Sequence, residues 1–130
     1  MTRIVFIGAG SVEFTRNLLG DILTFPELAD VEIVLHDIVD ERLATAEAMA
    51  RWTNDVSGAS ARITTTTDRR RALEGADFAV NMIEVGGIGA TRLDFDIPRK
   101  YGLRQTIADT SGVGAVSRAL RTIPVLLGIA

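Results

Sequence analysis

Arg3-Ile4-Val5-Phe6-Ile7-Gly8-Ala9-Gly10-Ser11-Val12 is an apolar run that breaks into glycines and then into a helical pattern. A strand buried on both faces of a sheet reads as a continuous apolar run instead of an alternating one, and Ile4 to Ile7 is such a run. The stretch is predicted as the first, central strand of a parallel sheet, a tight turn and a helix start. Gly8 supplies the positive φ or crowded geometry of the turn, and Gly10, lacking a Cβ, lets the backbone come close to a ligand. Beyond them Ser11 and Val12 open a helix whose unpaired N–H groups and dipole suit a pyrophosphate. The third glycine of Gly-x-Gly-x-x-Gly is replaced by Glu13. An ordinary strand-to-helix turn without a ligand therefore stands as the other reading.

The whole chain, 130 residues at 47% hydrophobic with a net charge of −3, reads as one α/β domain with enough material for a core. With 14 basic against 17 acidic residues, no face is built for nucleic acid or an anionic membrane, and Arg69-Arg70-Arg71 reads as a solvated helix start. There is no cysteine and a single histidine, His36, which excludes a disulfide framework and a Cys/His metal site within these residues. No apolar run reaches membrane-spanning length, and Met1-Thr2-Arg3 leads directly into a core strand. The expected location is cytoplasmic.

Working outward, Val12 to Leu23 is predicted as a helix with Phe14, Leu18 and Ile22 four apart and Leu19 and Leu23 alongside, forming one apolar stripe. Val31 to Asp37 is a second strand that closes on an acid. A carboxylate at that tip can accept hydrogen bonds from an adenosine ribose, or Asp37 can serve to introduce the next helix, a task open to Asp40 as well. Glu41 to about Val56 follows as a long helix with Leu43, Ala46 and Ala50 inward. His36 reads as a packing or surface histidine.

Ala61 to Asp68, β-branched and more polar, reads as an edge strand. Arg69 to Leu73 is a short helix stopped at Glu74-Gly75. Asp77 to Ile83 is a fourth, buried strand. Right-handed crossovers then give an α/β fold, a Rossmann-like doubly wound parallel sheet with strand order 3-2-1-4. Val85-Gly86-Gly87-Ile88-Gly89 follows the fourth strand, where Val85 and Gly86 can bring backbone to the far half of a dinucleotide. A helix from Ala90 to about Lys100, disturbed by Pro98, a site loop and a last helix from Ala115 to Ala130 complete the chain.

The most specific stretch runs from Ile97-Pro98-Arg99-Lys100-Tyr101-Gly102-Leu103-Arg104-Gln105-Thr106-Ile107-Ala108-Asp109-Thr110 into Arg118-Ala119-Leu120-Arg121-Thr122-Ile123-Pro124-Val125-Leu126-Leu127. With Gly8-Ala9-Gly10-Ser11, Asp37 and Gly86-Gly87, it resembles the N-terminal part of glycoside hydrolase family 4. Asp109-Thr110 is similar to the α-galactosidase (melibiase) branch, since the phospho-glycosidase branch usually carries Glu-Thr there. The chain departs from the family pattern in Ser111-Gly112-Val113-Gly114-Ala115, where a proline and a glycine are missing. The resemblance covers all 130 residues but only about the first third of a family member. The chain is thus expected to be the N-terminal portion of a longer one, truncated before the later strands and inactive alone.

The resemblance implies an NAD-dependent exception to the two-carboxylate glycosidase scheme. In the family, NAD⁺ takes hydride from C3 of the sugar, a tyrosine removes the acidified C2 proton, the aglycone leaves C1, water adds and the hydride returns. Manganese polarises the C2 and C3 oxygens. Its cysteine and histidine ligands and the tyrosine base are expected beyond residue 130, and Tyr101 does not match that base. Asp109 matches an acidic position that raises the tyrosine's basicity, with capping of the last helix as its other reading. Carboxylates such as Asp94, Asp96 and Asp109 are expected to hold a hydrated divalent ion only weakly. The implied partners are an α-glycoside in the full-length enzyme and further copies of the chain, with neither nucleic acid nor membrane. The alternatives are a lactate or malate dehydrogenase-like oxidoreductase portion and a non-catalytic nucleotide-binding module.

Overall fold

A computed structural model describes residues 1–106 and 112–130. Its packing divides into two compact units, Met1–Ile83 and Glu84–Ala130. In the first unit, strands β1 (Arg3–Ile7), β2 (Glu32–His36), β3 (Arg62–Thr66) and β4 (Phe78–Asn81) alternate with helices α1 (Val12–Ile22), α2 (Asp40–Ser57) and α3 (Arg69–Leu73). All strand pairs are parallel and the order is 3-2-1-4, as the crossovers predict. The register sets Val5 between Val34 and Ala79, and Ile7 between His36 and Asn81, which brings the carboxyl ends of β1, β2 and β4 to one edge.

Alternation along the strands gives one sheet face Ile4, Phe6, Ile33, Leu35 and Ile63. These join Leu19 and Leu23 from the α1 region and Leu43, Ala46 and Ala50 of α2 in a single apolar cluster. Val5, Ile7 and Val34 on the opposite face are buried too, so the central strands are apolar throughout because neither face meets water.

Two details of the sequence reading change in the first unit. The inward line of α1 is Thr15, Leu19 and Leu23, whereas Phe14 is 64% exposed. A hydroxyl can occupy this buried line because Thr15 Oγ1 donates to the carbonyl of Ala9 at 2.8 Å. Strand β4, expected to be buried, is mostly exposed, with Phe78 at 63%. It pairs only with β1, and its other edge has no strand among the described residues. Helix boundaries follow local chemistry. Asp68 Oδ1 accepts the N–H groups of Arg70 and Arg71 at 2.9 and 3.2 Å to start α3, and Gly58 at φ 69° ends α2.

The second unit holds α4 (Gly87–Lys100) and α5 (Val113–Leu127). Helix α4 starts three residues earlier than the pattern predicts, because Gly86 takes φ 89° and Gly87 φ 58° and together they turn the chain into it. Pro98 lies inside the last turn of α4 without breaking it. A Schellman motif closes the helix, with Leu103 N–H donating to Pro98 O at 3.1 Å, Gly102 N–H to Arg99 O at 3.0 Å, and Gly102 at φ 78°. No helix among the described residues is long and apolar enough to cross a membrane.

Candidate functional site

The turn after β1 is built on the tip of β2. Gly8, at φ 86°, and Ala9 both donate their N–H groups to the carbonyl of His36 at 2.9 Å. Ser11 N–H donates back to Gly8 O at 3.0 Å, and Gly10 N–H donates to Asp37 Oδ2 at 2.8 Å. The other oxygen of Asp37 accepts Val39 N–H at 3.0 Å at the entrance of α2. Asp37, only 9% exposed, therefore fixes both the glycine turn and the start of the next helix.

The turn leaves no room for side chains. A Cβ on Gly8 would lie 3.0 Å from the Met82 backbone, and one on Gly10 would lie 2.5 Å from Asp37 Oδ2 and 2.7 Å from Arg42 Cβ. Sequence reasoning assigned the openness of Gly10 to an approaching ligand. The structure gives Gly10 intramolecular neighbours first, so a side chain there disturbs the turn itself.

The N–H groups of Gly8, Ala9, Gly10 and Ser11 are thus all engaged within the chain. The first backbone bond at the head of α1 is Thr15 N–H to Ser11 O at 3.0 Å, so Val12, Glu13 and Phe14 have no helical acceptor for theirs. These three point out of a helix N-terminus, the arrangement that receives an anion. The Glu13 side chain is exposed. His36 is a buried packing residue, its Nδ1–H donating to Thr66 O at 3.0 Å.

In the second unit, Val85 and Gly86 precede α4. The guanidinium of Arg121 on α5 donates Nε–H to Val85 O at 2.8 Å, while Nη1 and Nη2 form a two-point bond to Asp94 of α4 at 2.8 and 2.5 Å. Side-chain exposure is 22% for Arg121 and 8% for Asp94. The hydrogen bonds from Arg121 hold the Asp94 carboxyl below its ordinary range, helped by the charges of Arg121 and Arg118 and opposed by burial. Asp94 raises Arg121 in return. Glu84 accepts the Thr91 hydroxyl at 2.5 Å. Sequence reasoning named Asp94 as a weak ion ligand and did not pair it with Arg121. The spacing of 27 residues carries no periodic signal, and only helix packing brings the two together.

Asp96 is likewise paired, with Arg99 at 2.9 Å. Asp109, the proposed influence on a tyrosine base, lies outside the described residues. Among the described residues, no three His, Cys, Asp or Glu side chains form a group that could hold a metal.

The model of the family 4 glycosyl hydrolases matches residues 3–130. The chain belongs to glycosyl hydrolase family 4. Among its family relatives, an α-galactosidase of Bacillus subtilis is 47% identical over the whole chain, which spans 30% of that protein. An α-glucosidase of Erwinia rhapontici is 41% identical over 98% of the chain and 28% of its own length. This family 4 chain also superposes on a 6-phospho-β-glucosidase of Thermotoga maritima, solved with manganese, NAD⁺ and glucose-6-phosphate. The TM-score is 0.81 at 26% identity, covering 98% of the chain and 30% of that structure. A lactate dehydrogenase of Cryptosporidium parvum reaches a TM-score of 0.51 over 75% of the chain at 19% identity, a likeness of fold alone. The dehydrogenase reading is the weaker one.

For a family 4 chain, the first unit passes a physical test for a dinucleotide. An acidic side chain stands at the β2 tip, and a helix presents free N–H groups beside the glycine turn.

Proposed function

We propose that this chain is the NAD-binding portion of an α-galactosidase-type family 4 glycoside hydrolase that uses NAD and manganese and is inactive by itself. The observation that carries the proposal is the joint placement of the Gly8–Gly10 turn, the free N–H groups of Val12, Glu13 and Phe14, and the Asp37 carboxylate. Residues 1–130 serve as one NAD-binding region in this reading. The α-galactosidase assignment is supported by the 47% identity to the Bacillus subtilis enzyme and by Asp109-Thr110 in the sequence.

Bound NAD⁺ would supply a hydride acceptor for C3 of the sugar. The residues of this chain bind and orient. The α1 N-terminus compensates pyrophosphate charge, aided by the Ser11 hydroxyl, while Gly8 and Gly10 keep the turn low enough for close approach. Asp37 retains acceptor capacity on each oxygen for ribose hydroxyls after taking one backbone N–H on each. Val85 and Gly86 are assigned to the cofactor on the sequence pattern, and Asp109 to raising a tyrosine's basicity on the resemblance. The metal's ligands are assigned to sequence beyond these 130 residues. A cytoplasmic location and self-association belong to the same reading, the latter supported by exposed apolar residues on β4 and α5.

Calorimetric titration with NAD and NADP tests it. A 2′-phosphate about 4 Å from a carboxylate is disfavoured by roughly 4 kcal/mol per unit charge at an effective dielectric near 20. NAD should bind well over tenfold more tightly than NADP. Absence of NAD binding overturns the proposal, and equal affinities remove Asp37 from the ribose. Release of galactose from an α-galactoside by the chain alone, with NAD⁺ and Mn²⁺ present, would overturn its inactivity.

A further inference from the structure

The guanidinium of Arg121 spends three N–H donors on two elements at once. Two go to Asp94, two turns into α4, and the third goes to the carbonyl of Val85, just ahead of α4. After that carbonyl come two consecutive glycines in the left-handed region, Gly86 at φ 89° and Gly87 at φ 58°. Paired glycines have the widest backbone freedom of any dipeptide, so a segment that must keep one conformation needs an external hold.

Within the second unit, Arg121 supplies that hold. Its Nε is 3.4 Å from where a Cβ of Gly86 would stand, and the same position is 2.6 Å from Ala90 Cβ. Contact between the two helices does not depend on it, because Gly114 of α5 lies directly against the Asp94 carbonyl.

We infer that Arg121 is a positioning residue for the Val85–Gly86–Gly87 backbone, fixing the conformation in which this segment meets the dinucleotide. The inference rests on the cofactor reading above. The role requires arginine. A planar fork can face a carboxylate with two donors while a third donor, at a fixed angle, reaches a carbonyl, and a lysine ammonium cannot reproduce that geometry. Asp94 acts behind it by orienting the fork, and its negative charge keeps the guanidinium in place.

The test compares wild type, Arg121→Lys, and Arg121→Ala with and without methylguanidinium, by residue-resolved amide exchange without ligand and by NAD titration. Losing a charge-assisted bond to Val85 should speed exchange at Ala90, whose N–H donates to Gly86 O at 3.3 Å, by about tenfold or more and weaken NAD by a similar factor. Exchange in the strands of the first unit should stay at the wild-type rate. Methylguanidinium should restore slow exchange to Arg121→Ala. Unchanged exchange at Ala90 in both variants overturns the inference, whatever NAD does. Faster exchange spread along all of α4 and α5, with NAD affinity unchanged, overturns it in favour of a clamp between helices. Wild type that fails to bind NAD overturns the cofactor reading, and the amide exchange still reports separately whether Arg121 holds the glycines.

Discussion

Asp37 shows how one side chain can serve the fold and a ligand together. Its oxygens accept Gly10 N–H and Val39 N–H at 2.8 and 3.0 Å in a largely buried place. Asp37→Ala should therefore cost about 1–3 kcal/mol of stability with no nucleotide present, as a buried donor left without an acceptor does. Asp37→Asn should fall between, since an amide offers one acceptor oxygen where the carboxylate offers two. A denaturant titration showing no loss in Asp37→Ala would separate the residue from the turn. Asp94 gives a second residue-scale expectation. Its folded-state carboxyl is held low, chiefly by the hydrogen bonds from Arg121. The resulting stabilisation is fully present above the unfolded carboxylate value, about pH 4, and is lost as pH falls through the lower folded value. Wild type should lose melting temperature on acidification across that window, and Asp94→Asn, less stable at neutral pH, should lose less there. Parallel curves would contradict the ion pair.

At the scale of elements, the contact between α4 and α5 rests on two residues that each look unsuited to a helix. Pro98 has no N–H to give to the carbonyl four residues back, which is that of Asp94. Gly114, in the first turn of α5, lies against that same carbonyl so closely that a Cβ would come within 2.5 Å of the oxygen. The proline frees the acceptor and the glycine permits the approach. Gly114→Ala, favourable for an isolated helix, should here destabilise by about 1–3 kcal/mol, because overpacking forces the helices apart. Thermal melting of the variant decides the sign, and a gain in stability would show that the helices yield without cost.

For the molecule as a whole, the two units differ in what stabilises them. The first has a sheet buried on both sides in its central strands, whereas α5 leaves Val116, Leu120, Ile123 and Leu127 exposed, Leu120 at 72%. Native-state amide exchange should therefore be slowest in β1 and β2 and faster in α5, as opening energies follow local burial. Leu120→Glu should leave the melting temperature within a few degrees of wild type and reduce self-association in sedimentation, since the side chain touches little and a contiguous apolar surface favours association. A large drop in melting temperature would mean that Leu120 is buried in solution.

What the sequence determined by itself is the order and type of the elements around the glycine turn. Ile4 to Ile7 forms the central strand, Arg69 to Leu73 the short helix, and the strands take order 3-2-1-4, because apolar runs, β-branching, caps and crossover handedness act over short distances. The pairing of Asp37 with the turn was half legible. The acid at the strand tip marked the place, but not that both its oxygens already serve backbone N–H groups. Tertiary structure alone decided that Thr15 faces inward and Phe14 outward, that β4 is exposed, that Gly10 is crowded by its own chain, and that Arg121 reaches Asp94 and Val85. Periodicity states which residues share a face, whereas which face is covered, and which distant charges meet, depends on how whole elements dock. That docking is settled by contacts between residues far apart in the chain.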